Sequence, residues 1–188
     1  MIPSQGEALA IHRKYRSNER IVRHCQVVAE AAKILAEEFR ARGHVVDVDA
    51  VVAAALLHDV GRSRVQTVRH GVEGASIAQQ EGADPLIVEI IRRHVGAGIS
   101  AEEAKKLGLP EFDYIPRTLE QRIVCFADKM VSSEEIRPFE EEVRRFEMKG
   151  HDVGRLLGLK KGLADELGED PEKFLLDKIK ESHRRAAD

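Results

Sequence analysis

The sequence has no tryptophan, only two cysteines and no hydrophobic run long enough to cross a membrane. Its longest apolar run, residues 50–57, is far shorter than the ~20 residues that a membrane helix needs. The two cysteines, Cys25 and Cys125, are too few for a disulfide framework. The first residues also lack the positive and then apolar pattern of a signal peptide. We therefore predict a cytoplasmic protein that has no membrane partner.

An excess of positive charge is also lacking, because 30 Lys and Arg residues face 33 Asp and Glu residues and leave a net charge of −3. Proteins that bind duplex nucleic acid usually carry a clearly basic face. The composition thus predicts no partnership with duplex nucleic acid, and it leaves the oligomeric state open. The hydrophobic content of 43% is ordinary for a globular protein, and we expect residues 1–188 to form a single domain.

The alternation typical of strands is missing as well, while apolar residues recur at spacings of three and four along most of the chain. Helix starts are predicted at Asn18, at Asp84 with Pro85, and at Ser100, which can form a capping box. A short helix is expected after residues 70–75, and three further helical segments fill the C-terminal third. The pattern predicts an all-α fold.

Several polar residues occupy positions at which this helical pattern requires apolar ones. The five residues concerned are His24, His58, Asp59, His94 and Asp128. Burying a charge or an imidazole costs several kcal/mol of folding free energy unless the group is paired or binds a metal. A single buried histidine is usually a core residue bonded to a backbone carbonyl. Five such residues facing inward on separate helices predict a shared metal site, since a cation neutralises carboxylates and accepts imidazole lone pairs.

These residues also carry a family resemblance. His24, the dipeptide formed by His58 and Asp59, and then Asp128 resemble the H…HD…D signature of the HD-domain metal-dependent phosphohydrolases. The stretch "HDVGR" is similar to the HD-x-G-K/R form of that motif. The resemblance covers about residues 18–135. It implies an HD-domain helical bundle over that core, followed by a helical C-terminal extension over about residues 136–188.

Two more histidines extend the resemblance. His70 in "RHGVEGA" and His94 in "IIRRHVGAG" are similar to the extra histidines of HD proteins that hold two metals, among them the bacterial enzymes that split diadenosine tetraphosphate symmetrically. The resemblance implies two divalent ions with Asp59 as the bridge between them. The ligands of the first ion would be His24, His58, Asp59 and Asp128, and those that complete the second would be His70 and His94. Mixed imidazole and carboxylate ligands favour transition metals, with Fe or Mn expected first and Co, Ni or Zn as alternatives.

The ligand set in turn implies a chemistry. Two cations ~3.5–4 Å apart can activate a water between them and hold phosphoryl oxygens during in-line attack, which makes Asp59 a catalytic residue. Arg62 lies three residues after Asp59 and Lys129 directly follows Asp128, and we expect both to act in catalysis by neutralising phosphate. The open alternative is that both form ion pairs at the surface.

The resemblance implies a phosphohydrolase that acts on a phosphoester or phosphoanhydride of a nucleotide-like small molecule. A 2′,3′-cyclic phosphodiesterase, as known among small archaeal HD proteins, is one alternative. A dinuclear-iron oxygenase is a second, because some HD proteins of that class have the same ligand set. A non-catalytic nucleotide sensor ranks last, since such proteins usually lack one of the ligands.

The remaining histidines and the cysteines point to no further site. The histidines expected to be solvated are His12, His44, His151 and His183. Cys25 and Cys125 adjoin predicted ligands in sequence, but consecutive helical residues point about 100° apart. We therefore interpret both cysteines as small core residues.

Overall fold

The computed structural model describes residues 1–187, apart from the side chains of residues 183, 186 and 187, and within that range the chain forms ten α-helices, one 3₁₀ turn and one small hairpin. The prediction of an all-α fold is confirmed. The helices are α1 Gln5–Lys14, α2 Glu19–Ala41, α3 Val48–Leu57, α4 His70–Gln80, α5 Pro85–Arg93, α6 Ala101–Lys106, α7 Leu119–Lys129, α8 Phe139–Met148, α9 Gly154–Leu167 and α10 Pro171–Ala187. The 3₁₀ turn is Val60–Ser63.

The predicted helix starts are confirmed by their capping groups. The Asn18 side chain accepts a hydrogen bond from the backbone N–H of Arg20, and Asp84 caps α5 with Pro85 at its first position. Ser100 forms the capping box at α6 with Glu103. These side chains satisfy N–H groups that have no partner within the helix.

The hairpin was not predicted from the sequence. Its strands, β1 Val131–Ser132 and β2 Glu135–Ile136, pair antiparallel around a turn in which Ser133 has a φ of 60°. Two residues per strand are too few to produce the alternating pattern by which strands are recognised. The hairpin matters for the site because the Ser133 carbonyl contacts one of the predicted ligands.

Helix α3 forms the centre of the bundle. It packs against α1, α2, α5 and α7, and eight of its residues are buried. This enclosure explains why the segment is apolar on all sides, unlike the amphipathic helices that surround it. The C-terminal end of α3 therefore delivers the residues that follow it, His58 and Asp59, to the middle of the protein.

The C-terminal helices join the same hydrophobic core. Helix α9 packs on α7, α10 packs on α2 and α9, and the apolar side chains of these helices, such as Leu163 and Leu175, are fully buried in the cluster that contains α3. We propose that the extension predicted for residues 136–188 folds together with the core as one domain. Within residues 1–187, no helix is both long and apolar enough to cross a bilayer.

Helix α4 begins at His70, so the prediction of a helix only after residues 70–75 is wrong. The stretch contains Gly71 and Gly74, which lower helix propensity and hid the helix start. Both glycines allow close packing against α5 and the residues that follow it. A Cβ on Gly71 would lie 2.7 Å from Cγ2 of Val95, and one on Gly74 would lie 3.1 Å from Cγ2 of Ile91.

The glycine of "HDVGR" allows an even closer approach, between the 3₁₀ turn and α4. A Cβ on Gly61 would lie 2.0 Å from the carbonyl oxygen of His70 and 2.4 Å from the backbone nitrogen of Gly74. Both neighbours are backbone atoms, so a rotamer change cannot relieve the collision. Gly61 thus sets the distance between the turn after Asp59 and the helix that carries His70.

We predict that Gly61→Ala destabilises the protein by about 2 kcal/mol or more, in the upper range for overpacked sites, because α4 must shift to admit the methyl group. Gly158→Ala is the matched control. Gly158 is exposed within α9, and a methyl group added there would meet nothing within 4 Å, so this change should stabilise by up to about 1 kcal/mol. Urea unfolding measures both. A Gly61→Ala protein as stable as the wild type would contradict the close-packing explanation.

Candidate metal centre

Six side chains predicted as ligands lie together where five helices meet. Three of the histidines lie at helix ends, since His58 and His94 follow the last residues of α3 and α5 and His70 is the first residue of α4. His24 lies within α2 and Asp128 lies near the end of α7. The ligand-type atoms form overlapping groups of three within 4.8 Å of one another. The groups are His24 with His58 and Asp59, His58 with His94 and Asp128, and Asp59 with His70 and His94.

All four imidazole rings are oriented in the same way, with Nδ1 on a backbone carbonyl. The Nδ1 to carbonyl oxygen distances are 3.0 Å from His24 to Ser133, 2.7 Å from His58 to Ala55, 2.7 Å from His70 to Thr67, and 2.7 Å from His94 to Ile91. A carbonyl oxygen can only accept a hydrogen bond, so each Nδ1 carries the proton. In a neutral ring the opposite nitrogen, Nε2, is then unprotonated, and its lone pair is directed at the centre of the cluster.

These lone pairs meet other lone pairs. The Nε2 atoms of His70 and His94 lie 3.0 Å apart, and they lie 3.1 and 3.5 Å from Oδ1 of Asp59. On the other side of the cluster, Oδ1 of Asp128 lies 3.1 Å from Nε2 of His24 and 3.4 Å from Nε2 of His58. With neutral rings none of these contacts is a hydrogen bond. Each brings two acceptors together and requires a positive charge.

Burial makes this requirement stricter. His58 is fully buried, and within the described residues its Nε2 and the Oδ1 of Asp59 are buried without any hydrogen-bond partner. Burial also lowers the pKa of His94 to about 4, so that this ring stays neutral at pH 7. The arrangement fits divalent cations, since transition metals bind neutral imidazole nitrogens and carboxylates together. The Nδ1–H to carbonyl bonds are the contacts that usually orient such ligands.

In protein free of metal, protons supply part of the missing charge. Burial acts to lower the pKa of His58, but the neighbouring Cys25 and Asp59 outweigh it and the pKa lies well above 6.5. Burial would raise the pKa of Asp59, yet the charge on His58 and the contacts of His70 and His94 hold it well below its usual value. A proton on His58 thus takes the place in which a cation would bind.

The two predicted phosphate-binding cations adjoin the cluster. Arg62 donates its Nε–H to Oδ2 of Asp59 at 2.6 Å, and Lys129 forms an ion pair with Asp128. The Lys129 side chain is only 10% exposed, so it is not a surface ion pair. Both residues line the cleft that leads to the cluster. Their part in catalysis stays a prediction.

The prediction that His12 is solvated is wrong, since the residue is 1% exposed. Its Nε2 lies 2.8 Å from the carbonyl oxygen of Leu56, and its Nδ1 lies 2.8 Å from the hydroxyl of Ser17. A proton on Nε2 donates to that carbonyl, which lies near the end of α3 where helix carbonyls lack partners. His12 follows Ala8, which is also buried, by one helical turn, and this spacing is the sequence signal that His12 lies on the inner face of α1.

For the other histidines and the cysteines, the structure agrees with the predicted environment or does not describe the side chain. His44 is half-buried and His151 is exposed, while the side chain of His183 lies outside the described residues. Cys25 and Cys125 are both buried. Burial raises the pKa of Cys125 to about 12, so its thiol is neutral, and it contacts the carbonyl oxygens of His94 and Gly96.

A family model described as the HD domain matches residues 21–132, which is more than half of the chain and includes all six clustered side chains. The chain belongs to the HD-domain family. The resemblance inferred from His24, His58, Asp59 and Asp128 is thereby confirmed.

Relatives extend the likeness beyond this HD domain. The chain is 37% identical over 172 residues to the tRNA (cytidine(56)-2'-O)-methyltransferase of Thermoplasma volcanium, which covers 90% of this chain and 49% of the relative. It is 37% identical over 171 residues to the protein of the same name from Picrophilus torridus, with 90% and 49% covered. An uncharacterized protein of Methanocaldococcus jannaschii is 43% identical over 130 residues, with 69% of this chain and 77% of that protein covered. The chain spans about half the length of the two methyltransferases.

Solved structures share the fold of this HD domain. The HD domain of the phosphodiesterase PgpH from L. monocytogenes superimposes with a TM-score of 0.59 at 14% identity, covering 92% of this chain and 98% of that one. The same domain in complex with cyclic-di-AMP gives a TM-score of 0.58 at 14% identity, with 90% and 95% covered. At this identity the likeness shows the fold alone.

A cleft of about 840 Å³ opens onto the cluster. One wall belongs to the HD-domain match and carries His24, Asp59, His70 and Asp128. Another part of the lining, the wall formed by residues 142–155, lies beyond the match. Seven Lys and Arg residues and five Asp and Glu residues line the cleft, although the whole chain has a net charge of −3. The cleft thus has a local excess of positive charge.

We predict that Mn²⁺ stabilises protein stripped of metal with a chelator, by about 2.7 kcal/mol at a concentration 100 times its dissociation constant, because the ion binds only the assembled cluster. Thermal unfolding with and without the ion measures this. Metal analysis should give two ions per wild-type chain and one for His70→Asn. His44→Asn is the control and should keep both. Equal metal content in the wild type and His70→Asn would contradict the second site.

The protonation of His58 predicts a pH dependence of metal binding. Because its pKa is raised in the metal-free protein, the proton must leave before Nε2 can bind a cation. Binding of Mn²⁺ at pH 7 should release protons, and the apparent affinity should rise as the pH increases from 6 to 8. Calorimetry in buffers with different ionisation enthalpies counts the protons. Binding without proton release would show that the metal-free cluster is not protonated.

Proposed function

We propose that the protein is a metal-dependent phosphohydrolase with a dinuclear centre. The observation that carries the proposal is the common orientation of four histidines, each with Nδ1 on a carbonyl and Nε2 directed at the carboxylate of Asp59 or Asp128. Membership of the HD-domain family supports it as well. A cytoplasmic location and Fe or Mn as the metal stay predictions.

The geometry supports a division of the ligands into two sets. His24, His58 and Asp128 adjoin one another on one side, and His70 and His94 adjoin Oδ1 of Asp59 on the other. Asp59 also lies 3.9 Å from Nε2 of His58 through Oδ2, so it faces both sides. We therefore assign Asp59 as the ligand shared by the two ions. Asp128, the other carboxylate of the cluster, contacts the rings of His24 and His58 at 3.1 and 3.4 Å and is grouped with His94 only at the wider limit of 4.8 Å.

Two divalent ions in such a centre supply Lewis acidity, which lowers the pKa of water and offsets negative charge on phosphoryl oxygens. The residues of the chain contribute the rest. Arg62 uses Nε to hold Asp59, and among the described residues no partner is found for its terminal nitrogens, which are available to a phosphate group. Lys129 lies beside Asp128 at the cleft and can bind another phosphoryl oxygen. Both interactions position phosphate and do not generate the nucleophile.

The nature of the cleft supports a nucleotide-like substrate. Its excess of basic residues favours an anion, and its volume of about 840 Å³ admits a molecule larger than inorganic phosphate. The PgpH domain that shares this fold forms a complex with cyclic-di-AMP, which also favours a nucleotide. Methyl transfer to tRNA is named for two relatives that are about twice as long as this chain, so that activity belongs to those proteins.

We predict that Asp59→Asn keeps the helical fold but lowers metal-dependent phosphate-ester hydrolysis by at least ~10³-fold, the order seen when one member of a unit-acting catalytic set is removed. The amide keeps the shape of the side chain and gives up the charge that offsets two cations. Asp165→Asn is the control, since Asp165 is exposed in an ion pair with Lys161 and should leave activity unchanged. Lys129→Ala should lower activity by less than Asp59→Asn.

A panel of chromogenic phosphomonoesters, phosphodiesters and nucleotides with Mn²⁺ or anaerobic Fe²⁺ measures the rates, and circular dichroism checks the fold. Near-normal turnover by Asp59→Asn would contradict the proposal. Oxygen consumption by the iron-loaded protein, without hydrolysis of any ester, would favour the oxygenase alternative. Nucleotide binding without either reaction would favour the sensor.

A further inference from the structure

We propose that the wall formed by residues 142–155 contains a second binding subsite, in which Phe146, Lys149 and His151 hold a nucleobase and an anionic group of the substrate. The inference rests on the proposed hydrolase function. It adds that the substrate extends beyond the phosphate at the metal centre and carries a base and a further anionic group that reach this wall. None of the three residues lies within the HD-domain match.

An aromatic pair gives this subsite a surface for a base. The rings of Phe146 and His151 lie edge to face with their centroids 5.6 Å apart, and both line the cleft. The chain fixes the pair locally, because the backbone N–H of His151 donates to the Phe146 carbonyl at 3.0 Å. Phe146 also packs against the hydrophobic core, while His151 is exposed. Aromatic side chains in such positions stack bases of any sequence.

Lys149 gives the subsite its free positive charge. Two other cations of this wall are already neutralised, since Arg145 pairs with Glu142 and Arg155 pairs with Glu103. Within the described part of the chain no ion pair is found for Lys149, which is exposed and lines the cleft one turn from Phe146. A cation beside an aromatic surface is the combination that binds a base together with its phosphate.

Hydrogen bonds connect this wall to the loop that follows His94 and to α6. Arg155, at the start of α9, donates to the carbonyl oxygen of Gly98 at 2.7 Å and to Glu103 at 2.8 Å. Gly98 belongs to the loop that follows His94, a candidate metal ligand, and Glu103 caps α6 after that loop. The hydrogen bond from Arg155 holds the pKa of Glu103 at about 2, so the ion pair persists at neutral pH. The distance between the two subsites is therefore set by the fold.

The test uses the double variant Lys149→Gln with His151→Ala and two substrates. One is a 5′-phosphorylated dinucleotide, which has one phosphodiester bond for the metal centre and a terminal phosphate for Lys149, and the other is a small chromogenic phosphodiester that reaches only the metal centre. We expect kcat/KM for the dinucleotide to fall on the order of 10- to 100-fold, mainly through KM, in line with the loss of one stacked base. Activity on the small ester should stay within about 2-fold of the wild type. Arg144→Gln is the control, because Arg144 lies on α8, which ends just before Lys149, pairs with Glu140 and does not line the cleft.

A binding measurement without turnover completes the test. A dinucleotide that carries 2-aminopurine should lose fluorescence on metal-free wild-type protein when its base stacks on His151, and the double variant should abolish this quenching. Equal loss on both substrates, unchanged dinucleotide kinetics, or failure of the wild type to hydrolyse or bind any dinucleotide would overturn the subsite. If the wild type hydrolyses neither ester with metal, the hydrolase function itself fails, which is a distinguishable outcome.

Discussion

The fold depends on one electrostatic constraint, which is that two carboxylates, of the buried Asp59 and the 13% exposed Asp128, converge with four imidazole lone pairs inside an apolar bundle. The closest pair of ring nitrogens, in His70 and His94, lies 3.0 Å apart. Such a cluster is unstable without positive charge, because burial removes the water that would otherwise separate these acceptors. The backbone carbonyls fix the rings in this orientation, so the cluster cannot relax by rotating them. In the proposed hydrolase, stability and chemistry would therefore rest on the same cations.

The helices are arranged to meet this constraint. The rings of His58 and His94, which follow the last residues of α3 and α5, donate to carbonyls near those helix ends, where carbonyls lack partners within the helix. His70, the first residue of α4, donates from its ring to the Thr67 carbonyl in the preceding loop. Helix α3 is enclosed so that its end reaches the centre, and Gly61 lets the next turn of chain approach α4 at backbone distance. His12 from α1 supports the same helix end through the Leu56 carbonyl. Packing and ligand placement are thus one problem.

Much of this could be predicted from the sequence, for identifiable reasons. Inward-facing polar residues such as His24 and Asp128 break the apolar period of their helices, and each break marks a side chain that needs a partner inside. The start of α4 was misplaced because its glycines serve contacts with other helices, which no local pattern records. His12 was misjudged because its partner, Leu56, lies 44 positions away. Local propensity is visible in a sequence, whereas close approach between distant segments is not.

The same distinction applies to the candidate metal centre and to the cleft wall formed by residues 142–155. The candidate ligands lie within the HD-domain match and are recognisable by residue type and order. Imidazoles and carboxylates that face inward at fixed helical positions have few explanations other than a shared metal site. Lys149 and His151 lie outside that match in a stretch of ordinary charged residues, and only the fold shows that they line the same cleft as the candidate ligands. Relatives align over 90% of this chain, so they share more of its length than the HD-domain match covers. The chemistry of such a protein is therefore recognised from motifs, whereas its choice of substrate has to be read from surfaces that the folded chain brings together.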